Sequence, residues 1–268
     1  MGAEIGRTIT HPDSRGMGVF SSLVRYLVKS ASERGYHVIY GTPNQASGKI
    51  YLGRLDFVSL FHWDRLVRPI NWAHFGSLAW MPGRVVASAF GSIYNLLFPL
   101  RLGDYQYSVD NHIQPDLKTL VAQACHDSRC FIDRTSDYLQ WRFAPLGREH
   151  LQVYVRDKSG ELRGWAAVRY ITTSDTRFTR VHVGDFWINP QDKSILKALM
   201  AAIMIEGQKR GVDMIYVVSR TKETFHSYRS LGFFPRPSIM PVIAFAPTGY
   251  DLKKIQRWEY RDSDADMF

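Results

Sequence analysis

Apolar residues follow a helical spacing between residues 19 and 31. They occupy positions 19, 20, 23, 24, 27, 28 and 31, and mostly Ser, Arg and Lys fill the positions between them. This spacing places the apolar side chains on one face of an α-helix. A short apolar stretch, Val38-Ile39-Tyr40, and a second helical segment ending at Phe57 follow. Residues 9–57 therefore predict strand, glycine turn, helix, strand and helix, in that order.

The same order of elements recurs further along the chain. Residues 32–40, SERGYHVIY, align without a gap on residues 208–216, QKRGVDMIY, and Leu23 aligns on Leu199. The aligned run continues from a helix through a strand into a second helix, so chance similarity between two amphipathic helices does not explain it. We interpret the chain as two copies of one domain-sized unit.

Residues 85–100 are the most apolar run in the chain, and Arg84 and Arg101 bound it. A membrane span needs about 20 apolar residues, so this run is too short to be one. We predict a helix buried between two domains, and a membrane-surface helix is the alternative. Beyond it, the pattern predicts helices at 116–124 and 134–143 and strands at 152–156, 163–171 and 181–188.

Composition limits the class of protein. The 268 residues are 45% hydrophobic and 22% charged, which is typical of a folded globular protein. The net charge of +9 fits a polyanionic ligand or a solvated basic surface. The basic residues are scattered, so a nucleic-acid partner is not expected. Cys125 and Cys130, with His126 nearby, do not supply a tetrahedral metal site, and we expect no metal. No signal peptide opens the sequence, and we expect a cytoplasmic protein.

A glycine-containing loop lies directly before the first predicted helix. Its sequence is Asp13-Ser14-Arg15-Gly16-Met17-Gly18, and the helix begins at Val19. Glycines allow a tight turn and close approach of a ligand, and the free N–H groups of a helix N-terminus favour an anion. A phosphate or pyrophosphate is the expected occupant, and a tight turn that binds nothing is the alternative.

This loop, the amphipathic helix after it, the strand ending near Asn44 and the segment Arg54-Leu55-Asp56-Phe57 together resemble the GNAT superfamily of N-acetyltransferases. In that family an R/Q-x-x-G-x-G/A loop holds the pyrophosphate of acetyl-CoA, and here Asp13 takes the first position. The resemblance implies acetyl-CoA as co-substrate, with no metal. The residues that it implies for cofactor binding are Asp13, Ser14, Arg15, Gly16, Met17, Gly18, Val19 and Asn44. Asn44 is equally well placed to cap a helix.

The resemblance also implies catalytic residues. Such enzymes need a base for the acceptor amine and an acid for the departing thiolate, commonly a tyrosine. Tyr228 matches the tyrosine position in the second copy, whereas Leu52 takes it in the first and Tyr51 is one residue away. Glu4 is the candidate base, and Asp185 is a candidate substrate contact. For either tyrosine, a packing role with a solvated hydroxyl is the alternative.

The second copy lacks the glycine loop. Gln191-Asp192-Lys193-Ser194 aligns on Arg15-Gly16-Met17-Gly18, so a carboxylate is expected at the helix start. Such a carboxylate repels a pyrophosphate, and we predict that the second copy does not bind CoA.

We therefore predict an α/β fold of two GNAT-like modules, each a mixed, mostly antiparallel sheet flanked by helices. The predicted boundaries are 1–70 for a partial module with the pyrophosphate loop, 71–104 for a helical linker, 105–247 for the second module and 248–268 for a tail. Few residues precede the loop, so we expect the first module to be an N-terminally shortened form. Its open strand edge would favour a homodimer.

The implied reaction is transfer of an acetyl group from acetyl-CoA to a small-molecule amine such as an aminosugar. A catalytically silent binding or scaffold protein is the first alternative, because neither copy keeps every part. A nucleic-acid-binding protein is a more distant alternative that uses the positive charge.

Overall fold

The structure is a computed structural model that describes residues 2–6, 8–77, 81–124, 134–143, 150–172, 178–219, 221–236, 241–252 and 261. The strands are β1 Gly2–Glu4, β2 Val38–Gly41, β3 Val58–His62, β4 Asp64–Pro69, β5 Gln106–Asp110, β6 His150–Arg156, β7 Leu162–Thr172, β8 Thr179–Ile188, β9 Met214–Ser219, β10 Phe234–Arg236 and β11 Pro241–Phe245. The helices are α1 Val19–Glu33, α2 Gln45–Arg54, α3 Trp72–Ser77, α4 Met81–Leu97, α5 Leu117–Ala124, α6 Ser136–Phe143, α7 Ile195–Lys209 and α8 Lys222–Ser230. The chain divides into a first unit, Met1–Asp64 with Pro237–Phe268, and a second unit, Arg65–Arg236.

The first unit contains a four-stranded sheet in the order β1-β2-β11-β3. Strand β1 runs parallel to β2, and β11 runs antiparallel to both β2 and β3. Helix α1 begins at Val19, as its apolar spacing predicts, and buries Val24 completely. Its core partners are Tyr51 of α2, Leu55 and Phe57 between α2 and β3, and Ile243 of β11. Val19, Leu23 and Leu27 remain 39–45% exposed, so only part of the predicted apolar face is buried.

The second unit contains a seven-stranded sheet in the order β10-β4-β9-β8-β7-β6-β5. Strands β5 to β8 form an antiparallel meander, and β8 runs parallel to β9. Helix α7 supplies a continuous buried segment from Ala198 to Ile203, which packs with the sheet into the larger core. The strands predicted at 152–156, 163–171 and 181–188 correspond to β6, β7 and β8.

Strands β8 and β9 separate part of the way along their length. Their residue pairs run from Arg180 with Met214 to His182 with Tyr216, although β8 continues to Ile188. The register between β7 and β8 shifts at the same place, where Val168 faces Val183 and Ala167 faces Asp185. An extra residue of this kind bends a strand and increases its twist. The shift therefore coincides with the divergence of β8 from β9.

Corresponding elements of the two units are separated by one constant offset in the sequence. Val19 and Ile195 begin α1 and α7, and Glu33 and Lys209 end them. The same offset separates the first residues of β2 and β9. It also separates the first residues of β3 and β10. The order β1-β2-β11-β3 in one sheet matches β8-β9-β4-β10 in the other.

The two compact units differ from the module boundaries suggested by the sequence. Strand β11 belongs to the first unit, where Val242, Ile243 and Ala244 are fully buried, although the sequence assigns them to the second module. Residues 71–104, expected as a separate linker, belong to the second unit. Apolar spacing identifies a strand but not the sheet that it joins. Most of the predicted tail, and both cysteines, lie outside the described residues.

The predicted burial of residues 85–100 is wrong for one face of the helix that forms there. Helix α4 packs through Phe90, Gly91 and Tyr94 against Trp72 of α3, but Phe90 is still 53% exposed. The other large exposed apolar side chains of the helix are Val85, Val86, Ile93, Leu96 and Leu97. The run has apolar residues on more than one face, and a single packing partner covers only one of them. Among the described residues, no helix is long and apolar enough to cross a bilayer.

Gly41 provides a test of how closely β1 and β2 approach each other. A Cβ atom at this position would lie 2.6 Å from the carbonyl oxygen of Ile5. We expect Gly41→Ala to lower the free energy of unfolding by about 1–3 kcal/mol because the backbone must move. Urea unfolding measures the change.

Gly53→Ala is the matched control for that substitution. Gly53 lies in α2 and is exposed, and a Cβ atom there would meet nothing within 4 Å. Alanine there should leave stability unchanged or raise it by up to about 1 kcal/mol. Equal effects of the two substitutions would show that the close approach of Ile5 does not constrain Gly41.

Candidate functional site

The glycine loop of the first unit has an open, left-handed backbone. A single turn of 3-10 helix, Pro12–Ser14, precedes it, and Gly18 is the N-cap of α1. Gly16 and Gly18 have φ values of 81° and 79°, which favour glycine over residues with a side chain. A Cβ atom at either position would meet nothing within 4 Å. Glycine is therefore required by conformation, and the space beside the loop is free.

The backbone N–H groups of this loop indicate a binding site for an anion. In the described part of the chain, the backbone N–H groups from Gly16 to Ser21 donate no well-aligned hydrogen bond. Ser22 is the first residue to donate, to the carbonyl oxygen of Gly18 at 3.0 Å. Unpaired N–H groups and the positive end of the helix dipole make such a terminus attractive to a phosphate.

Side chains at the start of the loop leave it accessible. Asp13 is almost fully exposed, and its carboxylate lies 3.6 Å from Nδ1 of His11. Arg15 and Met17 are also exposed. Asp13 stands at the loop position where the R/Q-x-x-G-x-G/A motif has Arg or Gln. Its exposed carboxylate does not block the N–H groups of the helix.

Asn44 is a helix cap in this structure. Its Oδ1 accepts hydrogen bonds from the backbone N–H of Ser47 at 2.9 Å and from the Ser47 hydroxyl at 3.1 Å. This arrangement satisfies an N–H group of the first turn of α2. Of the two roles that the sequence leaves open for Asn44, the capping role is the one observed.

Tyr51 lies in the aromatic core of the first unit. Its ring makes edge contacts with Phe20 at 5.3 Å and with Phe57 at 4.8 Å, and the neighbouring Leu52 is exposed. Burial raises the pKa of Tyr51, and a hydrogen bond with Thr8 opposes that rise. Thr8 lies between β1 and the glycine loop, so the Tyr51 hydroxyl reaches the segment that leads into the loop.

The other predicted catalytic residues lie in different places. Glu4 is exposed on β1, opposite Tyr40 of β2. Tyr228 has no exposed surface and packs between Phe186 and Phe233 in the core of the second unit. A proton donor must reach the reacting group, so the closed core around Tyr228 does not favour that role.

Asp185 forms a buried ion pair. Its Oδ2 accepts a hydrogen bond from Nε of Arg134 at 3.1 Å, and both side chains are fully buried. Its Oδ1 accepts from the backbone N–H of Phe186 at 2.9 Å. The Arg134 guanidinium also lies 5.7 Å from the ring of Trp187. The sequence offered Asp185 as a candidate substrate contact, whereas here its side chain is buried against Arg134. It did not indicate Arg134, because no local pattern joins two residues so far apart in the chain.

A basic pocket of about 1020 Å³ lies at the start of α7 in the second unit. Its charged lining residues are Arg101, Asp104, Asp157, Lys158, Arg163, Asp192, Lys193 and Lys197. Lys158 pairs with Asp104 at 2.9 Å, and Arg163 pairs with Asp157 at 2.7 Å. Five of these side chains are basic and three are acidic, so the pocket has an excess of positive charge.

The helix N-terminus in this pocket is occupied by a carboxylate, as the sequence predicts. Asp192 accepts hydrogen bonds from the Ser194 N–H at 3.0 Å and the Ser194 hydroxyl at 2.8 Å, and Tyr105 also donates to it. Burial raises the pKa of Asp192, but the hydrogen bonds from Tyr105 and Ser194 outweigh burial and lower it. An anion in this pocket would therefore contact lysine and arginine side chains rather than the helix N–H groups.

A metal centre is not indicated in the parts of the chain that the structure describes. Those residues contain no group of three or more His, Cys, Asp and Glu side chains that could hold a metal ion.

Comparison with known proteins identifies the fold. No sequence-family profile and no curated protein matches the chain. Among solved structures, it is similar to a GCN5-related N-acetyltransferase from Anabaena variabilis, with a TM-score of 0.59 and 11% identity over 88% of this chain. The chain spans about half of that protein, 52% of its length.

Two further structures have similar scores. A tandem GNAT protein from the clavulanic acid biosynthesis pathway matches with a TM-score of 0.57 and 12% identity, over 92% of this chain and 76% of that one. The N-myristoyltransferase of Saccharomyces cerevisiae, solved with bound myristoyl-CoA, matches with a TM-score of 0.60 and 12% identity, over 90% and 61%. The chain therefore has a GNAT fold, with two sheets flanked by helices.

The Arg134–Asp185 pair can be tested as a structural element. We expect Asp185→Ala to lower the free energy of unfolding by about 3–5 kcal/mol, because it removes the carboxylate that pairs with the buried Arg134 charge. Arg134→Leu with Asp185→Leu should recover part of that loss. Urea unfolding measures both variants.

Asp104→Ala is the control, because it removes a carboxylate from an exposed ion pair with Lys158. Little change in stability is expected there. Wild-type stability in Asp185→Ala would show instead that the buried pair is not structural.

Proposed function

We propose that the chain binds an acyl-coenzyme A at the glycine loop of the first unit and transfers the acyl group to an amine. The observation that carries this proposal is the left-handed Gly16–Gly18 turn, whose N–H groups donate no hydrogen bond in the described residues and where an added Cβ atom would meet nothing within 4 Å. The GNAT fold supports it, since two of the similar structures are named as N-acetyltransferase and N-myristoyltransferase.

The loop residues fit the pyrophosphate of such a ligand. The N–H groups from Gly16 to Ser21 hold the phosphate oxygens, and the Arg15 side chain lies beside them in solvent. When bound, the acyl-CoA supplies the thioester carbonyl that the amine attacks directly. The chain orients the ligand and moves protons, and orientation can account for much of the rate.

Proton transfer is assigned to two residues of the first unit. Glu4, exposed on β1, takes the proton from the attacking amine. Tyr51 has a buried ring, but unlike Tyr228 its hydroxyl bonds to Thr8 in the segment that leads into the loop, and it gives a proton to the departing thiolate. Burial raises the pKa of Tyr51, so the hydroxyl is protonated at neutral pH, as an acid must be.

The two units are proposed to be copies of one ancestral unit with divided roles. The constant sequence offset between α1 and α7, and between β2 and β9, supports common descent. The glycine turn at one helix and the Asp192 carboxylate at the other support CoA binding in the first unit alone. The acceptor class, a small-molecule amine such as an aminosugar, is part of the same proposal, as is acetyl-CoA as the acyl donor.

A second candidate function is CoA binding without turnover. The side chain at the usual tyrosine position in the first unit is Leu52, and the equivalent Tyr228 is buried. A protein with an intact loop and no proton donor would bind the ligand and release no thiol. Measurements of binding and of turnover therefore distinguish the two functions.

Replacing the loop glycines tests where CoA binds. Gly16→Asp with Gly18→Asp should abolish CoA binding measured by calorimetry, because both positions become strained and carry carboxylates beside the N–H groups. Gly35→Asp is the control, because Gly35 follows the other end of α1 with φ 79° and equally open surroundings. Unchanged affinity in the double variant would overturn the site assignment.

Replacing Tyr51 tests the proton donor. Tyr51→Phe should lower the rate of thiol release from acetyl-CoA about 100-fold while leaving the Kd for CoA unchanged. Because the pKa is raised, the wild-type rate should not decline on the alkaline side below about pH 10. Tyr26→Phe, on the exposed surface of α1, serves as the control. Equal turnover by wild type and Tyr51→Phe would exclude Tyr51 as the acid.

A further inference from the structure

Helix α4 has one packed face and one exposed apolar face. The packed face contains Gly91 and Tyr94, and the Tyr94 ring lies 4.9 Å from that of Trp72. Phe90 lies at the border of this face, and its ring is 5.1 Å from that of Trp72. The exposed apolar face is formed by six large side chains that are each 53–76% exposed. They are Val85, Val86, Phe90, Ile93, Leu96 and Leu97. We call these six residues the apolar stripe.

The apolar stripe is continuous around the helix. At about 100° per residue, its members cover an arc of about 140°. Exposed polar residues occupy a separate, narrower arc and are Arg84, Ser88, Ser92 and Asn95. Six large side chains at this exposure present on the order of several hundred Å² of apolar surface, a patch size that often marks an interaction site.

Charge around the stripe indicates the kind of partner. No Asp or Glu occurs between Arg65 and Gly103, so α4 itself contains no carboxylate, and Asp104 beyond it pairs with Lys158. Arg84 lies at the start of α4 and Arg101 follows its end, and both are exposed. Arg68 is not available to a partner, because it is buried and donates to the carbonyl oxygens of Phe98 and Leu231.

These charges favour an anionic partner over a second copy of the chain. Two copies that met through the stripe would bring their Arg84 side chains to a surface to which α4 itself contributes no carboxylate. An anionic bilayer offers both components at once, an apolar layer for the stripe and phosphate groups for the two arginines. A helix of 17 residues with this pattern lies in the interface rather than across it.

We propose that α4 docks on the surface of an anionic lipid bilayer, with the apolar stripe at the boundary of head groups and acyl chains and with Arg84 and Arg101 at the lipid phosphates. The proposal is independent of acyl-CoA binding, since it depends on residues of the second unit alone.

Flotation of the full chain with vesicles tests the proposal. The protein is mixed with vesicles of phosphatidylcholine alone or of phosphatidylcholine with phosphatidylglycerol, and its partition is measured by centrifugation. We expect the wild type to float with the mixed vesicles and to bind them more strongly than phosphatidylcholine. Arg84→Gln should weaken binding to the mixed vesicles about fivefold.

Neutral substitutions separate insertion of the stripe from attraction by charge. Phe90→Ser with Leu97→Ser should weaken binding to the mixed vesicles about tenfold or more, because the apolar area falls while the net charge is constant. Ser88→Ala with Ser92→Ala is the control and should bind as the wild type does. Ile93→Ser repeats the test if the double variant does not give the wild-type circular dichroism spectrum.

Three results would overturn the proposal. The first is a wild-type chain that remains at the bottom of the gradient with both kinds of vesicle. The second is wild-type binding by the stripe variants, which would show attraction by charge alone. The third is a dimer in light scattering that Phe90→Ser with Leu97→Ser dissociates, which would show that a second copy covers the stripe.

Discussion

One connection governs the architecture of each unit: a helix that joins two parallel strands. Parallel neighbours cannot be linked by a tight turn and need a crossover. Helix α1 makes this crossover between β1 and β2, and α7 makes it between β8 and β9. The N-terminus of the crossover helix therefore lies near the end of the first strand of each pair. Its free N–H groups are available for chemistry, and the residue placed there decides their use.

The two units use this position in opposite ways. In the first unit, the N-cap residue of α1 is Gly18, which has no side chain. No carboxylate of the N-cap residue therefore compensates the helix dipole. In the second, Asp192 accepts from Ser194 and holds a negative charge at the start of α7. Such a charge stabilises a helix N-terminus by about 0.3–1 kcal/mol. An incoming phosphate would have to displace that interaction and overcome repulsion, which makes the second terminus a poor site for a pyrophosphate.

The sequence predicts features that depend on local pattern. Helix α1 begins where its apolar spacing begins, and the positive φ values of Gly16 and Gly18 follow from the need for a tight turn. The sequence alone could not predict features that depend on contacts between residues far apart in the chain. The burial of Asp185 needs Arg134, and the exposed stripe of α4 depends on how many neighbours pack around that helix. Likewise, adjacent positions in α2 give no local signal that Tyr51 is buried and Leu52 exposed.

The position of β11 has a consequence for the order in which the protein can fold. It lies between β2 and β3, and its residue Ala244 pairs with Tyr40, which is encoded near the opposite end of the chain. During synthesis, β2 and β3 leave the ribosome long before β11 exists, so the first sheet cannot close until the second unit has been made. Contacts of such long sequence separation form slowly. The glycine loop, although it is encoded before the second unit, thus belongs to a unit whose sheet is completed only after the second unit has been synthesised.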